Sequence, residues 1–354
     1  MNLSALRIGK ILENYIKKHY NSEDTFVVED IQSLAKGWQT ELFAFKLYRE
    51  GNDDKNIKHL ILRMYPGKKM VTKTKHEFEV LQTLFKSGYP VPKTHILELD
   101  EEVLGHPFII MERILGKDMG ENFVRAIEEN DQETLSEEIL PLFAGLFVQL
   151  HEIDWKILAN KTRYTEEESP YFFIDSSLKK LEKEILDHEI IELLPLLKWL
   201  KENRDKASLE KIAIVHSDFH PHNIVLDSRG KGFVIDWPGA YIGDYREDLG
   251  WTLMLIEAYT SREIEEAFLR IYEQISGKLP SEINYFIILS ICYRLFEVIL
   301  TIKSGSKEMG FREEAKEQII ETAYHIRNLL VSLNEKTGLS IPETEKMLDE
   351  LKHR

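Results

Sequence analysis

Ile214-Val215-His216-Ser217-Asp218-Phe219-His220-Pro221-His222-Asn223-Ile224-Val225 sets an Asp and an Asn either side of a four-residue gap, between two β-prone runs. Thirteen residues after the Asn, a second carboxylate ends the apolar run in Phe233-Val234-Ile235-Asp236-Trp237. Such a set suits phosphoryl transfer. One carboxylate accepts a proton from a hydroxyl, while an amide oxygen and a second carboxylate hold Mg²⁺ against nucleotide phosphates. A short loop can aim Asp218 at the acceptor while Asn223, at its far end, turns to the metal; the hairpin that follows is expected to carry Asp236 back beside Asn223. An Asp–Asn loop is also ordinary turn chemistry, since both side chains bond their own backbone. Asp236 tips the balance, because a charge at the end of an apolar run is partly buried and needs a partner, and a metal ion is a natural one.

The rest of the chain bounds the setting. Its 354 residues are enough for two lobes and a large core, and 43% hydrophobic with 30% charged residues reads as a soluble globular protein. Lys and Arg total 46 against 61 Asp and Glu, a net charge of −15, which argues against a nucleic-acid partner and is compatible with a cationic small substrate. The single Cys292 excludes an internal disulfide and suits a reducing, cytoplasmic compartment. Leu3, Leu6, Ile8, Ile11, Leu12, Tyr15 and Ile16 recur at helical spacing, as in an amphipathic packing helix rather than a signal peptide. The stretch Ile283 to Ile302 mimics a membrane span. It contains Asn284, Ser290, Arg294 and Glu297, however, and Arg294 and Glu297 are spaced to pair on one face, so a buried helix is expected and no membrane partner.

Phe26 to Leu34, Leu42 to Tyr48, Leu60 to Tyr65 and Pro107 to Met111 read as strands, with a helix from Lys73 to Lys86 between the third and fourth. Helices dominate after Gly116: one is marked by Leu135, Ile139, Leu142, Leu146 and Leu150, charged segments follow at 177 to 205, and a hairpin carries the motif at 212 to 236. The expected organisation is α+β, with a small β-rich N-lobe over 1–111, a connection at 112–117 and a larger, mostly helical C-lobe over 118–354.

These residues resemble the aminoglycoside phosphotransferase and choline kinase superfamily, which has a bilobal protein-kinase-like fold, from about Ser33 to Trp251. By that resemblance Asp218, in His216-Ser217-Asp218, is the catalytic base; Asn223 and Asp236 are Mg²⁺ ligands; and Asp248, in Gly243-Asp244-Tyr245-Arg246-Glu247-Asp248-Leu249-Gly250-Trp251, braces the catalytic-loop backbone. Arg63, in Leu60-Ile61-Leu62-Arg63, matches the strand residue that contacts the nucleotide phosphates, and Glu77 its helical partner. Met111-Glu112-Arg113 matches the connection whose backbone holds adenine. Gly37 and Thr40, in Lys36-Gly37-Trp38-Gln39-Thr40-Glu41, are the phosphate-cradle positions. Arg63 departs from the usual Lys but stays charged and can grip phosphate oxygens in a bidentate way. The cradle is poor in glycine, and Pro238 follows Trp237 where it can stiffen the turn.

His216, His220 and His222 also permit a zinc reading, but no Cys lies near them, and packing and hydrogen bonding by His216 to orient the loop is favoured. The acidic run Glu166 to Glu168 is either a solvated loop or a lid attracting a cationic acceptor. Together the readings imply an ATP- and Mg²⁺-dependent phosphotransferase acting on a small-molecule hydroxyl. The rivals are a protein kinase, disfavoured by the short span after Asp236 and the lack of A-P-E, and a nucleotide-binding module without turnover.

Overall fold

The computed structural model describes residues 5–20, 24–34, 40–50, 57–67, 70–159, 169–304 and 324–351. Gly37 and Glu166 to Glu168 lie outside them. Contacts divide the chain into two compact units: Met1–Asp118 with Ile224–Pro238, and Met119–Asn223 with Gly239–Arg354.

The first unit is built on a sheet in the order β1-β2-β3-β5-β4, formed by Phe26–Ser33, Glu41–Arg49, Lys58–Met64, Thr94–Glu98 (β4) and Phe108–Glu112 (β5). All of its pairings are antiparallel. Helix α1 (Ala5–His19) buries Ile8, Leu12 and Ile16 against Phe43, Phe45, Leu60, Leu62, Phe108 and Ile110, so the amphipathic N-terminal pattern is a packing face. Helix α2 (Met70–Lys86) carries Glu77. Strand β6 (Gly116–Asp118) pairs with β8 (Ile224–Asp227), which forms a hairpin with β9 (Gly232–Val234).

That small sheet corrects the expected organisation in two respects. The motif hairpin covers 224–234 rather than 212–236, because β7 (Ile212–Val215) pairs with β10 (Tyr241–Asp244) and not with the strand that follows it. The segment 224–238 also belongs with the N-terminal unit rather than with the helices. The Val234 N–H donates to the Pro90 carbonyl at 2.8 Å, and buried Trp237 meets Tyr89 edge-on, with centroids 5.8 Å apart.

The second unit begins with α3 (Met119–Glu128) and the short α4 (Gln132–Thr134). The helix expected to run from Leu135 is interrupted: 135–139 form a π turn before α5 (Leu140–His151). Pro141 explains this, since a residue without an N–H cannot continue the helical ladder and the preceding turn widens. The short α6 (Lys156–Ala159), then α7 (Phe172–Asp187) and α8 (Leu194–Glu202), precede β7. After β10 come α9 (Tyr245–Tyr259), α10 (Arg262–Ser276) and α11 (Ile283–Ser304), then helices Tyr324–Thr337 and Pro342–Leu351.

Helix α11 is long and apolar enough to cross a membrane by composition, yet 83% of that stretch is buried inside the protein. Arg294 and Glu297 pair on it at 3.6 Å, as their spacing predicts. It packs along α9 at Gly250, where a Cβ would come within 2.6 Å of the Phe286 backbone. Any side chain at Gly250 would push the two helices apart, and α9 carries the residues that hold the motif loop.

Candidate active site

Strand alternation sets a charged cluster in the first unit. Leu60, Leu62 and Met64 face α1. Arg63 therefore points to the opposite face. Its guanidinium is buried between two carboxylates: Nη1 lies 3.3 Å from Glu77 Oε1, and Nη2 lies 2.5 Å from Asp236 Oδ1. The Tyr65 hydroxyl donates to Glu77 Oε2, a contact the sequence did not announce. Burial pulls the Arg63 pKa down, but Glu77 and Asp236 outweigh it and hold the guanidinium charged. Among the described residues, Arg63 Nε is buried without a hydrogen-bond partner. Asp236 follows β9 with a left-handed φ of 69°, an unfavourable conformation for a non-glycine residue, and its side chain is 39% exposed.

Of the other residues expected at the nucleotide, Gly37 lies outside the described residues. Thr40 is buried ahead of β2. The N–H groups of Glu112 and Arg113 donate to the carbonyls of Lys93 (2.8 Å) and His59 (2.9 Å). Both donors are spent on the sheet edge.

The second unit holds the motif loop. Strand β7 ends at Val215, and the buried Asp248 accepts from the N–H groups of His216 (Oδ2, 2.7 Å) and Ser217 (Oδ1, 2.7 Å). His151 Nε2 lies 3.4 Å from Asp248 Oδ2. Ser217 has φ 73°, and a Cβ on Gly239 would come within 2.2 Å of its Oγ, so the loop's tight bend depends on a small neighbour. His216 is fully buried, and its Nδ1 accepts from the Asp218 N–H at 3.2 Å. The Phe219 ring packs between Phe143 and Phe147, anchoring the loop in the helical core.

The Asp218 side chain is 47% exposed. The Trp251 indole N–H donates to its Oδ1 at 3.0 Å, and Asn223 Nδ2 donates to the Asp218 carbonyl at 2.9 Å. Burial alone would raise the Asp218 pKa, but His220, His216 and the Trp251 hydrogen bond hold the carboxyl well below the usual range. Asp218 is therefore ionised at neutral pH, the state a proton acceptor needs. With Nδ2 of Asn223 donating to the Asp218 carbonyl, Oδ1 is the atom of that side chain a hard cation would meet.

The two clusters therefore bring together Arg63, Glu77 and Asp236 in one unit, and His216, Asp218, Asn223 and Asp248 in the other. Sequence reasoning missed Tyr65, His151 and the role of Trp251. The Trp251 signal was its place three residues after Asp248, which puts both on one helix face.

Residues 30–283 match the phosphotransferase enzyme family model, and the chain belongs to that family. Its α+β fold is that of the aminoglycoside phosphotransferases and is protein-kinase-like. The chain is similar to a thermostable mutant of aminoglycoside phosphotransferase APH(4)-Ia in ternary complex with ADP and hygromycin B (TM-score 0.59, 15% identity, covering 93% of this chain and 99% of that one). It is also similar to the macrolide 2'-phosphotransferase MphH from Brachybacterium faecium (TM-score 0.56, 14% identity, 84% and 96% covered). Among curated proteins, acyl-CoA dehydrogenase family member 11 from Pongo abelii is 25% identical over 218 residues, or 57% of this chain. The matched part is only 26% of that relative's length.

Proposed function

We propose that this phosphotransferase moves the γ-phosphoryl group of ATP to a hydroxyl of a small molecule. The observation that carries the reading is Asp218: an ionised, half-exposed carboxylate whose loop backbone is pinned by Asp248. The acceptor oxygen forms a bond to the γ-phosphorus, the bond to the ADP leaving oxygen breaks, and the hydroxyl proton passes to Asp218. Asn223 Oδ1 and Asp236 would hold Mg²⁺, which offsets the phosphate charge when bound. Arg63 would steady the phosphates, exchanging part of its contact with Asp236 for phosphate oxygens. Positioning and charge neutralisation supply most of the rate enhancement.

Support for the nucleotide comes from the neighbour bound to ADP, and for the acceptor class from neighbours that carry hygromycin B or are macrolide phosphotransferases. The net charge of −15 favours amine-bearing acceptors over anionic ones. The test is an ATP-consumption screen over aminoglycosides, macrolides, amino alcohols and sugars, run with and without Mg²⁺. The reading expects Mg²⁺-dependent turnover with at least one alcohol. Tight Mg-ATP binding with no turnover on any acceptor would instead favour a nucleotide-binding module.

A further inference from the structure

Helix α9 grips the motif loop at four successive residues. A capping box, in which Asp244 and Glu247 exchange hydrogen bonds with each other's backbone N–H, fixes where the helix starts. From that start Asp248 takes the N–H groups of His216 and Ser217, and Thr252 Oγ1 donates to the Phe219 carbonyl at 2.5 Å. Asp248 and Thr252 thus fix the backbone on either side of Asp218, leaving its side-chain torsions to be set separately. Trp251 stands between them and reaches the carboxylate itself.

The two carboxylate oxygens are not equivalent. Oδ1 receives the indole N–H at 3.0 Å, whereas Oδ2, among the described residues, has the longer approaches of Asn223 Nδ2 at 3.4 Å and His220 Nε2 at 3.5 Å. A good hydrogen bond at 3.0 Å fixes an oxygen; contacts near 3.5 Å leave lone pairs available. We propose that Trp251 is a positioning residue: its indole N–H holds Oδ1 of Asp218 and so presents Oδ2 as the oxygen that meets the acceptor hydroxyl. The donor is neutral and fixed to a helix, so it orients the carboxylate without contributing a full charge that would compete with the phosphates. An arginine there would pair with the carboxylate and weaken it as a base. The proposal rests on Asp218 being the base, and the experiment separates the two ideas.

Trp251→Phe keeps the ring and removes the donor, while Trp251→His retains a ring N–H. Slow Mg-ATP hydrolysis, with water as acceptor, is compared in wild type, Trp251→Phe, Trp251→His and Asp218→Asn, alongside Mg-ATP affinity and melting temperature. The ¹⁵N spectrum of the indole groups is recorded on the same proteins; the chain has five tryptophans, and the resonance missing from Trp251→Phe assigns the signal. The expected result is a roughly 10–100-fold slower hydrolysis for Trp251→Phe, as for misplaced catalytic groups. Mg-ATP affinity and melting temperature should be unchanged, Trp251→His should restore most of the rate, and the Trp251 indole signal should shift in Asp218→Asn. If Asp218→Asn slows hydrolysis but Trp251→Phe stays within about twofold of wild type, the positioning role is wrong and the base assignment stands. If Asp218→Asn is fully active, the base assignment fails and takes this proposal with it. An indole signal unmoved by Asp218→Asn overturns the contact on its own.

Discussion

The two clusters hold their carboxylates in different ways. In the first unit a charge answers charges: Arg63 lies between Glu77 and Asp236. In the second, backbone N–H groups hold Asp248, and an indole N–H together with His220 and His216 holds Asp218. Ion pairs can be redistributed when a polyanion arrives, because a guanidinium can exchange one oxygen for another. Backbone and indole donors are fixed to the fold and have no such exchange. The difference separates a cluster whose contacts can be redistributed from a loop whose contacts are held.

Breaking the ionic side should give the largest loss of stability. Arg63→Met leaves Glu77, 1% exposed, as an uncompensated buried charge, at a cost of about 3–5 kcal/mol. The double variant Arg63→Met, Glu77→Leu should recover most of that in urea unfolding, since an apolar pair can replace an ion pair of similar volume. A double variant no more stable than the single would show that Tyr65 and Asp236, rather than charge balance, decide this cluster.

On the dipolar side, Asp248→Asn turns an amide N–H toward one of two backbone N–H donors. The expected cost is about 2–3 kcal/mol. No second-site charge removal should rescue it, because the partners are main-chain groups. Rescue by a His151 substitution would mean that the 3.4 Å His151 contact, and not the loop backbone, is what Asp248 serves.

A smaller effect lies away from both clusters, at Glu265 on α10. Burial, with Glu257 nearby, pushes its carboxyl up to about 7. A raised carboxyl pKa in the folded protein means that its stabilising proton is fully present below the unfolded pKa and is lost as pH rises through about 7. Glu265→Gln should therefore raise the melting temperature at pH 8 and leave it nearly unchanged at pH 4.5, with a gain of up to about 3 kcal/mol at the higher pH. An equal effect at both pH values would mean that shape, not titration, matters there.

Local patterns carried much of this to the surface of the sequence. Periodicity gave α1 and α2, alternation gave β2 and β3, and the Arg294–Glu297 spacing gave a pair that forms inside a buried helix. Arg63 and Glu77 were legible through the family resemblance, and the ion pair between them is what the fold adds. What stayed hidden depends on distant partners. Nothing in Ile212–Val215 says that it pairs with Tyr241–Asp244 rather than with the next strand. That Ile224–Pro238 packs with the N-terminal unit follows from β6 and from the burial of Trp237 against Tyr89, both more than a hundred residues away in sequence. The left-handed Ser217 and Asp236 were invisible because neither residue type advertises such a backbone. Trp251 stood in the sequence only as the end of the Gly243–Trp251 motif; the fold turns its N–H onto Asp218.

The most direct test of the account is Asp218→Asn, measured for Mg-ATP affinity by calorimetry and for phosphoryl transfer to the best acceptor from the screen. The account predicts unchanged affinity and a kcat lower by about 10²–10⁴-fold, the usual loss for a general base. A variant that keeps more than about a tenth of wild-type kcat would contradict it.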